Sequence, residues 1–227
     1  MRFIQLTKGD IRFQYKYGFY FLYLIFSLLY ISVAYVLPRD WRQTAVLAMV
    51  FTDPAALGLF FMGAIILYEK SERVLDALAV SPVKVSEYVA SKLFSIGLIS
   101  SLAALLIAVS SCLSFQPFYF ISAVFMGSCL FSSFGLMLAA KSSTLNEFIL
   151  STIPFQIAIN LPALAYLFGW QPVWLLIHPG ASMIELMVAG RYRWPAFAVL
   201  LVSSGLACYL AYKVIRKMFS TLGGAKL

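Results

Sequence analysis

The chain has 227 residues, of which 62% are hydrophobic and only 11% charged, and its mean hydropathy is +0.90. A soluble domain of this size is closer to half apolar and a quarter charged, so the composition excludes a soluble enzyme and describes an integral membrane protein. The aqueous segments are short, which leaves one membrane domain over residues 1–227, and the net charge of +8 follows membrane topology rather than pointing to nucleic acid.

The first 16 residues mix Arg2, Lys8, Asp10, Arg12 and Lys16 with apolar residues, the pattern of an amphipathic interfacial helix. The run Phe19 to Leu37 is long enough to span. It ends in VLPRD without a small-x-small cleavage pattern, so it is expected to stay as the first helix. The second apolar segment ends at Tyr68 and contains DPAALGLFFMGAIILY. From Pro54 to Tyr68 a helix would be only about 22 Å long. Either QTAVLAMVFT extends it with a kink, or a separate interfacial piece precedes it. Asp53 is a good N-cap and Pro54 fits the first helical position.

Next comes the longest charged stretch, YEKSERVLDALAVSPVKVSEY, residues 68–88. Residues 69–80 read as a short helix with Val74, Leu75 and Leu78 on one face. Glu69 and Arg73 form a favourable i,i+4 pair, while Glu72 and Asp76 repel mildly. Ser81 is expected to cap a new start with Pro82 at its first position. Topology alone would need only basic residues, and this stretch balances Glu69, Glu72, Asp76 and Glu87 against Lys70, Arg73 and Lys84. A mixed-sign amphipathic helix at the surface suits docking to a charged partner.

The third, fourth, fifth and sixth spans are expected at roughly 92–114, 118–140, 148–168 and 195–213. Between the last two, apolar pieces at 173–177 and 183–189 are broken at HPG, and each is too short to cross. Residues 169–193 therefore read as a re-entrant or interfacial hairpin.

Six spans put both termini on one side. Thirteen of the 17 Lys and Arg residues then fall on that side, and four (Arg39, Arg42, Arg191 and Arg193) on the other. The positive-inside rule makes the first side cytoplasmic. Trp41, Trp170, Trp174 and Trp194 all fall near the outer interface, where amphipathic rings prefer to sit. Cys112, Cys129 and Cys208 are placed inside spans and imply neither disulfide nor metal site.

Polar groups inside spans are costly and often functional. Gln156 and Asn160 share one face of the fifth span, flanked by Pro154 and Pro162. They either line a transport path or glue helices together. Asp53 is a further path candidate, although a helix cap is the simpler role. Glu185 follows Ser182 at capping-box spacing and reads as structural, and His178, the only histidine, reads as a turn residue beside Pro-Gly. The 20 phenylalanines and 13 tyrosines suit an apolar or aromatic cavity without identifying what it would hold.

EKSERVLDALAVSPVKVSEYVASKL resembles the segment after the second span of ABC-2 type transporter permeases. The shared features are Glu69-Lys70, Leu75 and Leu78, Ser81-Pro82, Glu87-Tyr88 and Ser91-Lys92. The amphipathic N-terminus, the six-span plan and the broken hairpin extend the resemblance over most of the chain. Within that family the chain is similar to small six-span permeases of the fluoroquinolone-export type. The resemblance implies an all-α integral membrane protein of the type V exporter kind, with six transmembrane helices, an interfacial connecting helix over 1–16 and a broken extracellular hairpin. It implies that Glu69, Lys70, Glu72, Arg73, Asp76, Ser81 and Pro82 form a coupling segment against an ABC ATPase, with Arg12 and Lys16 of the connecting helix close by. It makes His178 and Glu185 outer-gate candidates.

No GxxxxGK[ST], HExxH, CxxC or GxSxG pattern occurs. The chain is therefore expected to bind no cofactor and to be no enzyme by itself. ATP and Mg would sit on two partner ATPase subunits, and a second permease copy, identical or a sister chain, would complete a dimer in the cell membrane. The expected function is export of an amphipathic or drug-like substrate. A secondary transporter or channel would need a buried titratable or ion-coordinating group, and Asp53 is the one acid within a span. An intramembrane enzyme would need paired acids, a Ser-His pair or metal ligands at membrane depth. A non-transporting scaffold or immunity-type protein is the remaining alternative, distinguished by ATP-dependent substrate movement.

Overall fold

The computed structural model describes residues 2–53 and 57–222. Pro54 and Lys226, both used in the sequence reading, lie outside them. Among the described residues every regular element is helical: α1 Arg2–Lys16, α2 Phe19–Val36, α3 Arg39–Asp53, α4 Leu59–Ser71, α5 Val74–Ala79, α6 Val85–Ser110, α7 Pro117–Lys141, α8 Leu145–Leu167, a 3-10 turn Val173–Ile177, α9 Pro179–Met187 and α10 Arg193–Leu222.

Local chemistry sets most of these boundaries. Gly18 adopts a left-handed φ of 77° and lets α1 turn into α2. Pro117 opens α7 at the first helical position. The Thr144 hydroxyl accepts the Glu147 amide to start α8. At the start of α6 the Glu87 carboxylate accepts the Lys84 amide at 3.1 Å.

Five helices, α2, α6, α7, α8 and α10, are long and apolar enough to cross a membrane. Of the second apolar segment the described residues give α3 on one side of 54–56 and α4 on the other, and neither alone is among these five. Asp53 is helical at the end of α3, and the Pro54 start expected to follow it lies outside the described residues. The third span starts earlier than expected, at Val85, and the last runs on to Leu222. Cys112 lies beyond the end of α6, exposed, in a left-handed turn at φ 53°, and not inside a span.

α7 is the centre of the bundle and packs on α4, α6, α9 and α10. Small side chains allow this closeness. Ser100 of α6 and Ser128 and Ser132 of α7 are fully buried. The Ser128 hydroxyl meets Ser100 at 3.2 Å, and Ser132 donates to the Gly58 carbonyl at 3.2 Å. By contrast α2 and α8 turn most of their surface outward, with Leu24, Leu28, Leu150, Ile153, Ile157 and Leu161 exposed. Apolar surface of this extent marks a face that meets a membrane or another protein.

Between α4 and α7 a glycine of one helix meets the backbone of the other. A Cβ at Gly135 would lie 2.3 Å from the Leu59 carbonyl oxygen. Backbone cannot yield as a side chain does, so Gly135→Ala is expected to cost about 1–3 kcal/mol by overpacking and to lower the melting temperature in detergent. Gly205→Ala, where nothing lies within 4 Å, is the matched control. It is expected to hold or raise that temperature through better helix propensity.

Candidate functional site

The stretch 68–88 does not form one surface helix. α4 carries through Ser71, the chain turns at Arg73 in the left-handed region (φ 56°), and α5 follows as a separate short helix. The expected Glu69–Arg73 pair therefore does not form. Glu69 points inward instead and is only 7% exposed.

What Glu69 meets is a charged cluster. Lys92 of α6, 3% exposed, pairs with Glu69 and, at 2.6 Å, with Asp10 of α1. Tyr88 donates its hydroxyl to the second Glu69 oxygen at 2.5 Å, and Ser91 donates to the second Asp10 oxygen at 2.8 Å. One turn further on, Gln14 donates to Ser95 at 2.8 Å. Thr7, Asp10 and Gln14 are the buried residues of α1, so this helix turns a polar stripe inward and packs it on a matching stripe of α6. With both carboxylates ionised, the three charged groups sum to −1. Every carboxylate oxygen has a donor, the condition under which a buried ion cluster is tolerable. The cluster joins α1, α4 and α6 at the point where the chain leaves and re-enters the bundle.

Lys70 also works inward. Its ammonium donates to the carbonyls of Ala139, Ala140 and Ser142 at 2.7–2.9 Å. It thereby caps the end of α7, where orphan carbonyls and the helix dipole favour a cation. α4 thus ends on two adjacent clamps, one to α1 and α6 and one to α7.

The outward set is Glu72, Arg73 and Asp76, all exposed, on a turn whose Leu75 is buried. α5 packs on α4 and α10. Arg12 and Lys16 of α1 and Tyr17 just after it line a cleft of ≈ 380 Å³ with Tyr68, Glu72 and Val74, and Tyr17 and Tyr68 share a hydrogen bond between their hydroxyls. Arg12 and Lys16 therefore stand beside the mixed-charge turn. Ser81 does not cap a helix. Its hydroxyl donates to the Leu78 carbonyl at 2.8 Å and accepts the Val83 amide, so it shapes the turn. The exposed Pro82 carbonyl accepts from Arg2 at 2.8 Å, tying the start of α1 to the same loop.

The remaining candidates lie elsewhere. Gln156 and Asn160 share a face of α8, which stays one helix through Pro154 and Pro162. Asn160 donates to Gln156, while its own carbonyl oxygen is buried without a partner. Asp53 is 2% exposed, and one of its oxygens has no hydrogen-bond partner. At the opposite end of the bundle, α9 starts at Pro179, so Ser182 is an interior residue that donates to the Leu176 carbonyl. The expected Ser182–Glu185 box is absent for that reason. Glu185 accepts from the Tyr166 hydroxyl at 2.8 Å and from the Tyr192 amide at 2.7 Å, which ties α8 to the chain after α9. His178 precedes α9 and bonds the Ala158 backbone. Burial holds its pKa below the ordinary histidine value, so the ring is neutral at pH 7.

In the sequence Tyr88, Ser91 and Lys92 stand out only through the resemblance and, for Lys92, the charge count, Asp10 only as one of the charges of the N-terminal segment, and Gln14 and Ser95 not at all. The signal was present in the i,i+3 and i,i+4 spacing of polar residues on both helices. Among the described residues no cluster of His, Cys, Asp and Glu could hold a metal ion.

Residues 1–216 match the model of the fluoroquinolones export permease protein family. Two relatives from Mycobacterium tuberculosis, one from strain CDC 1551 / Oshkosh and one from strain ATCC 25618 / H37Rv, are each named a fluoroquinolones export permease protein. Each is 25% identical to this chain over 191 residues, which cover 83% of this chain and 81% of the relative.

Proposed function

Since the chain belongs to the fluoroquinolones export permease protein family, we propose that it is the membrane subunit of an ATP-driven ABC-2 exporter. Its cargo is an amphipathic, drug-like molecule of the kind its relatives are named for. α3 and α4 together make the second of six crossings. Both termini and α5 face the cytoplasm, the side that takes 13 of the 17 basic residues. Residues 169–193 form the outer hairpin, with His178 and Glu185 near the outer mouth. Two copies, or this chain and a sister chain, face each other in the membrane, with Gln156, Asn160 and Asp53 as path candidates. Two ATPases, which hold ATP and Mg, are supplied separately.

The observation that carries this reading is the division of labour around α5. Glu72, Arg73 and Asp76 are exposed for a partner, while Glu69 and Lys70, immediately before them, are locked to α1, α6 and α7. A push on α5 is therefore delivered to four helices. Transport in this scheme is a shift between two conformations, driven by the partner's preference for one of them.

The test is affinity purification of the tagged chain from its native membranes. A stoichiometric soluble protein carrying a GxxxxGK[ST] loop is expected to co-purify. A folded, oligomeric preparation without any such protein would overturn the reading. Orientation is checked in a Cys112→Ser background, needed because Cys112 is exposed. There Ser81→Cys is expected to resist an impermeant thiol reagent on intact cells and to react once the membrane is opened.

A further inference from the structure

At the end of the bundle opposite α1 and α5, a small polar pocket of ≈ 190 Å³ opens between the start of α3 and the turn after α6. Arg39, Arg42 and Gln43 line one side, and Ser111, Cys112 and Ser114 the other. Arg39, Arg42 and Gln43 fall on one face of α3 by their i, i+3, i+4 spacing. Asp40, the acid nearest in sequence, lines a different pocket with Trp41 and Thr44. No acidic residue lines the arginine pocket. The only ion pairs among the described residues are those of Lys92, so neither arginine has a carboxylate. Two of the four basic residues that the charge count leaves on this side thus converge on one cavity without a counter-charge.

A second observation is independent of charge. Ser111 is 5% exposed, and its buried hydroxyl has no hydrogen-bond partner in the protein. The Arg42 Nε–H is also buried and unpartnered. The rest of that guanidinium is held in place. Its Nη2 donates to the Tyr35 and Leu37 carbonyls, both at 3.4 Å, and the group lies 5.6 Å from the Tyr35 ring centre. Buried hydroxyls and guanidinium N–H groups normally find acceptors, and here two residues that line the cavity each keep a buried, unpartnered donor.

We infer that this pocket binds one oxyanion, a carboxylate or phosphate group, held by Arg39, Arg42 and the Ser111 hydroxyl. The planar N–H fork of arginine matches such a group, and the anion supplies the acceptors both orphan donors lack. The cavity is smaller than the roughly 300–1,000 Å³ typical of a drug-sized ligand, so it takes a head group or a small ion rather than a whole amphipathic molecule. The group comes either from a free anion or from a lipid head group. Trp41 of α3, Trp170 after α8, Trp174 of the 3-10 turn and Trp194 at the start of α10 fall at this same end, which gives the lipid source a physical basis. The inference does not depend on the transport reading.

Cys112 lines the pocket and is exposed, so its reactivity reports occupancy. The probe is the rate at which a neutral maleimide labels Cys112 in the full chain carrying Cys129→Ala and Cys208→Ala. In non-ionic detergent, inorganic phosphate at constant ionic strength is expected to slow labelling saturably. The half-saturating concentration is expected to rise about tenfold in Arg39→Gln, which loses a charge-assisted contact, and also to rise in Ser111→Ala. Arg191→Gln is expected to change nothing. Arg39 is exposed and Ser111 makes no side-chain bond, so both variants should fold. In phosphatidylglycerol nanodiscs, slow labelling that phosphate does not alter assigns the site to a lipid head group. Fast labelling that phosphate slows assigns it to a free anion. Labelling that is indifferent to phosphate in detergent and equally fast in phosphatidylglycerol overturns the inference. So does slowing by phosphate that survives Arg39→Gln combined with Ser111→Ala.

Discussion

Replacing Lys92 with methionine is expected to destabilise the protein by about 3–5 kcal/mol, the cost of leaving buried charge without its partner. Two carboxylates, Asp10 and Glu69, converge on this one ammonium, and both lie in the interior. Without Lys92 they face each other with only the Tyr88 and Ser91 hydroxyls as donors. α1 should then loosen from α6, because its buried face is polar and offers little apolar area to hold it. The measurement is a thermal melt followed by size exclusion in detergent, with protease sensitivity of residues 2–16 as a local readout. Glu69→Gln should cost less, since Asp10 remains paired. The triple replacement Asp10→Asn, Glu69→Gln, Lys92→Met should recover much of the loss, because removing a whole buried cluster is often close to neutral. A Lys92→Met protein that melts with the wild type and keeps α1 protected would show that the cluster does not hold α1 in place. The triple variant serves a second purpose. It keeps the fold while removing the ionic joint between α1, α4 and α6, so a folded triple variant without ATP-driven export would separate coupling from stability.

The spans were legible because their limits are chemical. α7 is bounded by Pro117 and Lys141; α8 starts at Leu145 on a Thr144 cap rather than at the expected 148, a signal equally local but not used. Such signals act over a turn of helix and need no tertiary context. The charged stretch was read less well because its charges were counted rather than assigned to faces. Glu69 and Lys70 look like part of a surface run, yet each finds a partner brought from far along the chain: Lys92 for Glu69, and the end of α7 for Lys70. The left-handed conformation at Arg73 has no sequence signature, since it is not a glycine, and it is what separates inward from outward charges. Other signs were readable and outweighed. Pro179 at the start of a helix competes with the Ser182–Glu185 spacing, and the structure follows the proline. Lys92 enters the sequence reading only through the charge count and the Ser91-Lys92 resemblance. A lysine flanked by Ser91 and Ser95 at helical spacing, with Asp10 and Gln14 likewise spaced on α1, already described two polar stripes able to pair.

Reversing the exposed acids, Glu72→Lys with Asp76→Lys, is expected to weaken binding of the partner ATPase at least about tenfold and to remove its stimulation by the permease. Like charges brought together at an interface cost several kcal/mol. Both side chains are exposed, and neither takes part in an ion pair within the chain, so the melting temperature should stay close to that of the wild type. This separates the variant from those at Lys92, which act on the fold. Arg73 needs a different substitution, because its φ of 56° strains most side chains. Arg73→Gly removes the charge and keeps the turn, whereas Arg73→Val would disturb both. If charge at this turn guides docking, Arg73→Gly should slow association and flatten its dependence on salt. If only the shape of α5 matters, it should bind as the wild type does. Binding and stimulation left unchanged by the double reversal, in detergent and in liposomes alike, would remove α5 as the docking element and leave the Asp10–Lys92–Glu69 cluster as a structural joint alone.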